Sequence, residues 1–295
     1  MTYQRTYLNE TDKQLMLNLV YLSPETNLHV VDLPYRLSSW ALDYPENTQL
    51  WFDDKNELIA WAILQTPFWT IDYVIHPERG DDLHQEILNW ADAQAKKIIN
   101  DFTGHPCWFV PIFEKQKDHI RNLEKAGFAS QTNVPENPWS KVFMQWKGFS
   151  KEYRLPERYI IRPLADDEAN KYVDLHQSVF QSKNMTNDWR KRTLQVHNPE
   201  TDLVALAPDG SLAGFCIGWL YKEMGQIEPM GIHENHRKIG LGHALLAETI
   251  KRLQKQGTKK IFVETDNFRD DALQLYESIG FQVLQNVEVY RKDYT

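Results

Sequence analysis

The string His236-Arg237-Lys238-Ile239-Gly240-Leu241-Gly242-His243 concentrates the chemistry of this chain. It has the form Arg-x-x-Gly-x-Gly, with two cations ahead of two glycines, where a strand pattern gives way to a helical one. A backbone turning tightly at such glycines aims amide N–H groups at one point, and the helix dipole adds partial positive charge, which makes a seat for a pyrophosphate. The string is not a Walker loop, because Gly-Lys-Ser/Thr is missing, nor a dinucleotide fingerprint, because Leu245 stands where the third glycine would be. A glycine-rich helix start with solvated cations fits the same letters. Upstream, Glu228 lies on the strand that feeds the loop, where alternation sets Gln226, Glu228, Met230 and Ile232 on one face. A carboxylate on a largely apolar face is either shielded, with its pKa raised towards that of a general base, or turned outward. Pro229 cannot donate to a ladder, so the strand is expected to be unpaired nearby.

The elements that must position these residues follow from period and punctuation. Residues 159–163 read as a strand, 166–180 and 186–197 as helices, and 203–207 with 212–221 as a hairpin around Pro208-Asp209-Gly210. A strand at 226–232 leads through the polar loop into a helix beginning near Gly240, with Leu246, Ile250 and Leu253 as its buried stripe. A strand (261–265), a helix (270–279) and two short strands (281–284, 287–291) close the half. The first half repeats the order: strands at 50–52, 58–65 and 71–75, a helix with the stripe Leu83, Ile87, Ala91, Ala95 and Ile98, a strand at 107–110 and a helix at 115–126. LEKAGF and YESIGF occupy equivalent places, their Gly-Phe pairs 153 residues apart, and Ile75-His76 matches Ile232-His233 at 157. The expectation is α/β, a mixed sheet flanked by helices in each of two tandem domains, 1–148 and 159–295, joined by the polar stretch 149–158.

With this context, EPMGIHENHRKIGLGHALL followed by IFVETDNFRDDALQLYESIGF resembles the core of the GNAT superfamily, the acyl-CoA-dependent N-acyltransferases. The resemblance covers about residues 159–291 in element order, and the repeat extends it to a tandem GNAT arrangement. It implies acetyl-CoA as co-substrate, its pyrophosphate held by Arg237, Lys238, Ile239, Gly240, Leu241, Gly242 and His243. It implies a mostly antiparallel sheet splayed beside the strand of Glu228, with backbone groups of Met230 and Ile232 pairing with the pantetheine amides. It also implies Tyr276 as the acid beside the thioester sulfur, a position that helical spacing alone reads as a core tyrosine. Family members often carry Asn three residues before the alanine of this last helix; here Arg269 holds that position and Asn267, the coenzyme contact by analogy, lies two residues earlier. An amine attacks a thioester only when neutral, so Glu228 is the candidate base and Tyr276 the candidate acid. In the first half, aligning Arg79 with Arg237 sets Asp82 and His84 against Gly240 and Gly242, and Leu123 falls where Tyr276 stands. That copy reads as degenerate.

Composition bounds these readings. At 295 residues and 34.8 kDa the chain suits two domains. No run approaches a membrane span, and the first residues lack the apolar core of a signal peptide, so a cytoplasmic protein that engages no membrane is expected. Cys107 and Cys216 lie far apart and outside any Cys-x-x-Cys pattern, which suits a reduced compartment. Residues 151–295 carry 20 cations against 21 anions and residues 1–150 carry 13 against 20, so the acidity resides in the first half. Such a balance disfavours nucleic acid and accommodates a small-molecule amine as acceptor. His233-x-x-His236 with His243 lacks carboxylate or Cys at ligand spacing, so no metal is expected. Eight of ten Trp fall before residue 150, mainly for packing. No nucleophile–base spacing supports a hydrolase. The expected function is N-acetyl transfer; the alternative is a non-catalytic acyl-CoA-binding sensor on the same scaffold, and a two-site enzyme is opposed by Asp82 and His84.

Overall fold

The computed structural model describes residues 3–79, 82–149 and 152–294. In chain order the elements are β1 (Tyr3–Thr6), α1 (Glu10–Val20), α2 (Leu33–Arg36), β2 (Thr48–Phe52), β3 (Leu58–Gln65), β4 (Thr70–Ile75), α3 (Asp82–Ile98), β5 (Cys107–Phe113), α4 (Lys117–Lys125), β6 (Ala129–Ser130) and β7 (Ser140–Trp146). They continue as β8 (Ile160–Pro163), α5 (Ala169–Phe180), α6 (Asn187–Val196), β9 (Asp202–Leu206), β10 (Leu212–Tyr221), β11 (Met224–Ile232), α7 (Leu241–Lys255), β12 (Lys260–Asp266), α8 (Asp270–Ser278) and β13 (Phe281–Asp293). The chain forms two compact units, residues 1–141 with 285–295, and residues 142–284.

These boundaries differ from the expected 148 and 159. The closing strand reads as two pieces by sequence but is one, and its residues from Gln285 onward belong to the first unit. There they run antiparallel to β5, Val287 opposite Phe113 through Asp293 opposite Cys107. All of β7 but its first two residues belongs instead to the second unit, whose core takes Met144, fully buried. The expected linker is not a free tether either: Phe149 and Tyr153 pack on that core, and the Tyr153 hydroxyl donates to the Ser278 carbonyl. Apolar and aromatic residues scattered in a polar stretch carry no period, so the sequence hides this packing.

In the second unit the strand order is β7-β12-β11-β10-β9-β8. Only β11 and β12 are joined as a parallel pair among its described ladders, because α7 is the crossover between them. Leu246, Ile250 and Leu253, all 0% exposed, are the stripe that seats α7 on the sheet, each contributing about 1.5–3 kcal/mol by burial. In the first unit the order is β1-β2-β3-β4-β5-β13, with α3 buried along Ile87, Ala91 and Ala95. β1, α1 and α2 escaped the sequence reading, since α1 is weakly amphipathic and α2 is a single turn. Among the described residues, no helix is long and apolar enough to cross a membrane.

Candidate active site

The site is made by a parallel ladder that stops early. β11 and β12 pair at Met224–Lys260, Gly225–Ile261 and Gln226–Phe262, and these are the three pairs among the described residues. Beyond Gln226 the strands separate, as the position of Pro229 led one to expect. The gap opens towards the N-terminus of α7.

A β-bulge corrects the expected alternation. On β10, Cys216 stands opposite Met230 but Gly218 stands opposite Ile227, so Glu228 and Pro229 share one partner position. The extra residue reverses the faces. Met230 and Ile232 point towards α7, where both lie 3.6 Å from a Cβ built on Gly242. Gln226, opposite Trp219, points to the other face, since the neighbouring Gly218 is turned to Leu253 and Thr249 of α7. Gln226 and Ile232 therefore do not share a face. The Glu228 main-chain carbonyl accepts the Trp219 indole N–H at 2.6 Å, which pins the bulge.

The loop then delivers donors. Lys238 is held at φ 62° and Gly240 at φ 88°, both left-handed. A Cβ on Gly240 would meet nothing within 4 Å, so the requirement for glycine there is conformational, and the space in front of it is open. The first intrahelical bond of α7 runs from Ala244 to the Gly240 carbonyl at 3.1 Å, so the amides of Leu241 and Gly242 have no acceptor inside the helix. Arg237 is exposed and its Nε donates to the Ile232 carbonyl at 3.0 Å, tying the cation to the end of β11. Lys238 and Ile239 are exposed, and Leu241 is buried in the core. This set of orphan amides, open space and exposed cations fits a diphosphate, and the unpaired edges of the splayed strands fit the amides of a pantetheine arm.

Other proposed contacts fall differently. The His243 ring stacks on Tyr153, centroids 5.3 Å apart, and its Nε2 bonds the Ser278 hydroxyl at 2.7 Å, so its side chain is committed to α8. Asn267 is half-buried in the turn after β12, while Arg269 pairs with Asp266 at 2.9 Å. Tyr276 is 8% exposed, edge-on to Phe281, and its hydroxyl has no hydrogen-bond partner among the described residues. Burial raises its pKa, and the charges of Cys216 and Glu228 raise it further. Cys216 is fully enclosed, its thiol pushed up to about 12 mainly by burial. The loop histidines are spent on local contacts, His236 Nδ1 lying 2.8 Å from the Tyr159 hydroxyl. Among the described residues, no cluster of three or more His, Cys, Asp or Glu is placed to hold a metal ion.

Sequence reasoning missed the groups behind the other face. Arg190 is 0% exposed, bonds Asp202 and stacks over the Tyr172 ring at 3.8 Å. Tyr172 lies close enough for the Glu228 charge to bear on its phenol, whose pKa is raised chiefly by burial. His176, beside it, is pushed down to about 3 by burial and by Arg190, so it stays neutral. No spacing marks these residues, because they converge from a helix pair and a strand start.

The first unit repeats the hairpin without the site. His76 donates to Ile59 as His233 donates to Ala213, and Thr70 pairs with Gln65 as Gln226 pairs with Trp219. The repeat distance along β4 and β11 thus changes by one residue, and the Glu228–Pro229 bulge is that residue. Asp72 is the counterpart carboxylate, and it is locked to Arg36, whose Nε and Nη2 donate at 2.9 and 3.0 Å. Arg79 is paired with Asp53 at 2.6 Å. His84 is 3% exposed and packs on Tyr73 and His119, so it does not occupy an open seat; the Asp82 side chain lies outside the described residues. Leu123 is buried.

Residues 165–281 match the Acetyltransferase (GNAT) family. The chain is 28% identical over 107 residues to the [ribosomal protein bS18]-alanine N-acetyltransferase of Escherichia coli strain K12, covering 36% of this chain and 70% of that protein. It is 28% identical over 137 residues to the mycothiol acetyltransferase of Corynebacterium efficiens, covering 43% of this chain and 45% of that protein, less than half its length. In fold it is similar to a GCN5-related N-acetyltransferase from Sphaerobacter thermophilus, with a TM-score of 0.67 at 19% identity over 99% of this chain and 95% of that one. It is also similar to a tandem GNAT protein from the clavulanic acid biosynthesis pathway, with a TM-score of 0.66 at 13% identity over 99% and 98%. Residues 165–281 thus match the GNAT acetyltransferase family, in a chain whose fold is similar to that of a tandem GNAT protein.

Proposed function

We propose that the second unit transfers the acetyl group of acetyl-CoA to the primary amine of a small molecule. What supports this is a strand gap that opens at a donor loop, with Glu228 in the bulge beside it and its charge bearing on the buried Tyr276 phenol. Arg237, Lys238 and the amides from Ile239 to Gly242 would hold the diphosphate, and main-chain groups of Met230 and Ile232 the pantetheine amides. His243 contributes through its backbone, and Asn267 from the turn after β12. The bound coenzyme supplies an acetyl group activated as a thioester. Glu228 takes the proton that an ammonium must lose to become a nucleophile. Tyr276, kept protonated by burial, gives its phenolic proton to the sulfur as the carbon–sulfur bond breaks. The amine gains the acetyl group; of the two protons its nitrogen loses, one is released through Glu228 as the net proton and the other restores the Tyr276 phenol. The relatives' names describe acetyl transfer, one of them to an alanine, which supports an amine acceptor. A panel of amines assayed for free thiol with acetyl-CoA tests the reading. Thiol release dependent on an amine is expected; coenzyme binding without thiol release for any amine would replace the enzyme with a sensor.

A further inference from the structure

Gln226 ends the β11–β12 ladder on the face opposite α7, between Trp219 on β10 and Phe262 on β12. It is 2% exposed, and Trp219 and Phe262 are 3% and 8% exposed. Its amide nevertheless makes no hydrogen bond to any described residue. Nor is that amide among the sealed, unpartnered polar atoms of the unit, which include Tyr172 Oη and Arg190 Nε. An amide that lacks a protein partner yet is not sealed off is placed to bond a polar group that enters the strand gap. Phe262 stacks on Phe143, centroids 5.0 Å apart, so the flanks of Gln226 are aromatic and offer it nothing.

Two residues along the strand stands Glu228. Strand rise separates the two positions by about 6–7 Å, and the side chains are equal in length. Hydrogen bonds of about 2.9 Å at each end leave room between the heads for a nitrogen and an oxygen on adjacent carbons. We propose that Gln226 is the acceptor-specificity residue, its amide N–H donating to an oxygen on the carbon next to the amine-bearing one. The acceptor class is thus the vicinal amino-carbonyl or amino-hydroxyl compound, not the plain alkylamine. The inference rests on the acetyltransferase reading. In the first unit the equivalent position is Thr70, whose hydroxyl is already bonded to Asp72 at 2.9 Å, so only the second unit offers a free polar group there.

The test compares glycinamide, ethanolamine and propylamine as acceptors for the wild type and for Gln226→Leu. The ratio of kcat/KM between each oxygen-bearing amine and propylamine, taken wild type over variant, cancels their intrinsic reactivities. At least a tenfold fall in that preference is expected in the variant, carried by KM, for glycinamide if the oxygen is a carbonyl and for ethanolamine if it is a hydroxyl. Propylamine turnover and acetyl-CoA affinity should be unchanged. An equal preference in both proteins overturns the proposal. Gln226→Asn, which keeps an amide but withdraws it by one methylene, reads the same ratio should the leucine variant fail to fold. A wild type that acetylates other amines but none of these three also overturns the proposal, whereas one that releases no thiol with any amine overturns the acetyltransferase reading itself.

Discussion

The proposed acid must keep its proton until the thiolate departs, and the burial of Tyr276 meets that requirement. Burial lifts its pKa above the ordinary value of about 10, so it remains a donor throughout neutral and mildly alkaline pH. Tyr276→Phe is expected to lower kcat by about 100-fold with little change in KM for acetyl-CoA, measured by thiol release. The alkaline side of the wild-type profile should show no loss of rate from this group below about pH 9. Glu228→Gln should lower kcat/KM by a similar factor near pH 7, and the deficit should shrink as alkali supplies free amine. A deficit constant with pH would remove Glu228 as the base. These roles came from resemblance on the sequence side; the bulge that sets Glu228 apart was not legible, because an extra residue in a strand leaves no mark in a single sequence. Gln226 was legible only as a member of a strand face, and Arg190 not at all, since no spacing partner marks a role for either.

At the scale of elements, hydrophobic period made α3, α7 and the β10–β11 hairpin readable, since each buries one face. The splay was legible in part through Pro229. The packing of α6 against β9 was not, for it depends on Arg190 and Asp202, both almost fully enclosed. Burial opposes the charge of Asp202, but Arg190 and His197 outweigh it and hold its pKa below the usual carboxylate range. Because the folded pKa is depressed, this carboxylate contributes stability above its unfolded value, lost as pH falls through the folded one. Denaturant unfolding between pH 7 and pH 2 should therefore show a loss on acidification below about pH 4 that is smaller in Asp202→Asn. Arg190→Ala, which leaves the carboxylate buried and alone, should cost about 3–5 kcal/mol at pH 7. A cost below about 1 kcal/mol would mean that the pair is solvated, as surface pairs are.

For the whole molecule, duplication was legible and the exchange of segments was not, since repeat matching aligns strands without saying which core receives them. Residues 142–284 should form a more stable fragment than 159–295, because the latter loses Met144 and the Phe149 and Tyr153 packing; thermal unfolding of the two fragments compares them. The first unit keeps the hairpin but spends Asp72 on Arg36 and Arg79 on Asp53, so it is expected to take no coenzyme. Titrating the full chain with acetyl-CoA in a calorimeter, beside Gly240→Asp, tests the donor loop most directly. Aspartate tolerates left-handed backbone better than most residues yet sets a carboxylate before the orphan amides. One coenzyme bound per chain, with at least tenfold weaker binding in the variant, is the predicted result. Two bound per chain, none, or equal affinity in both proteins would contradict it.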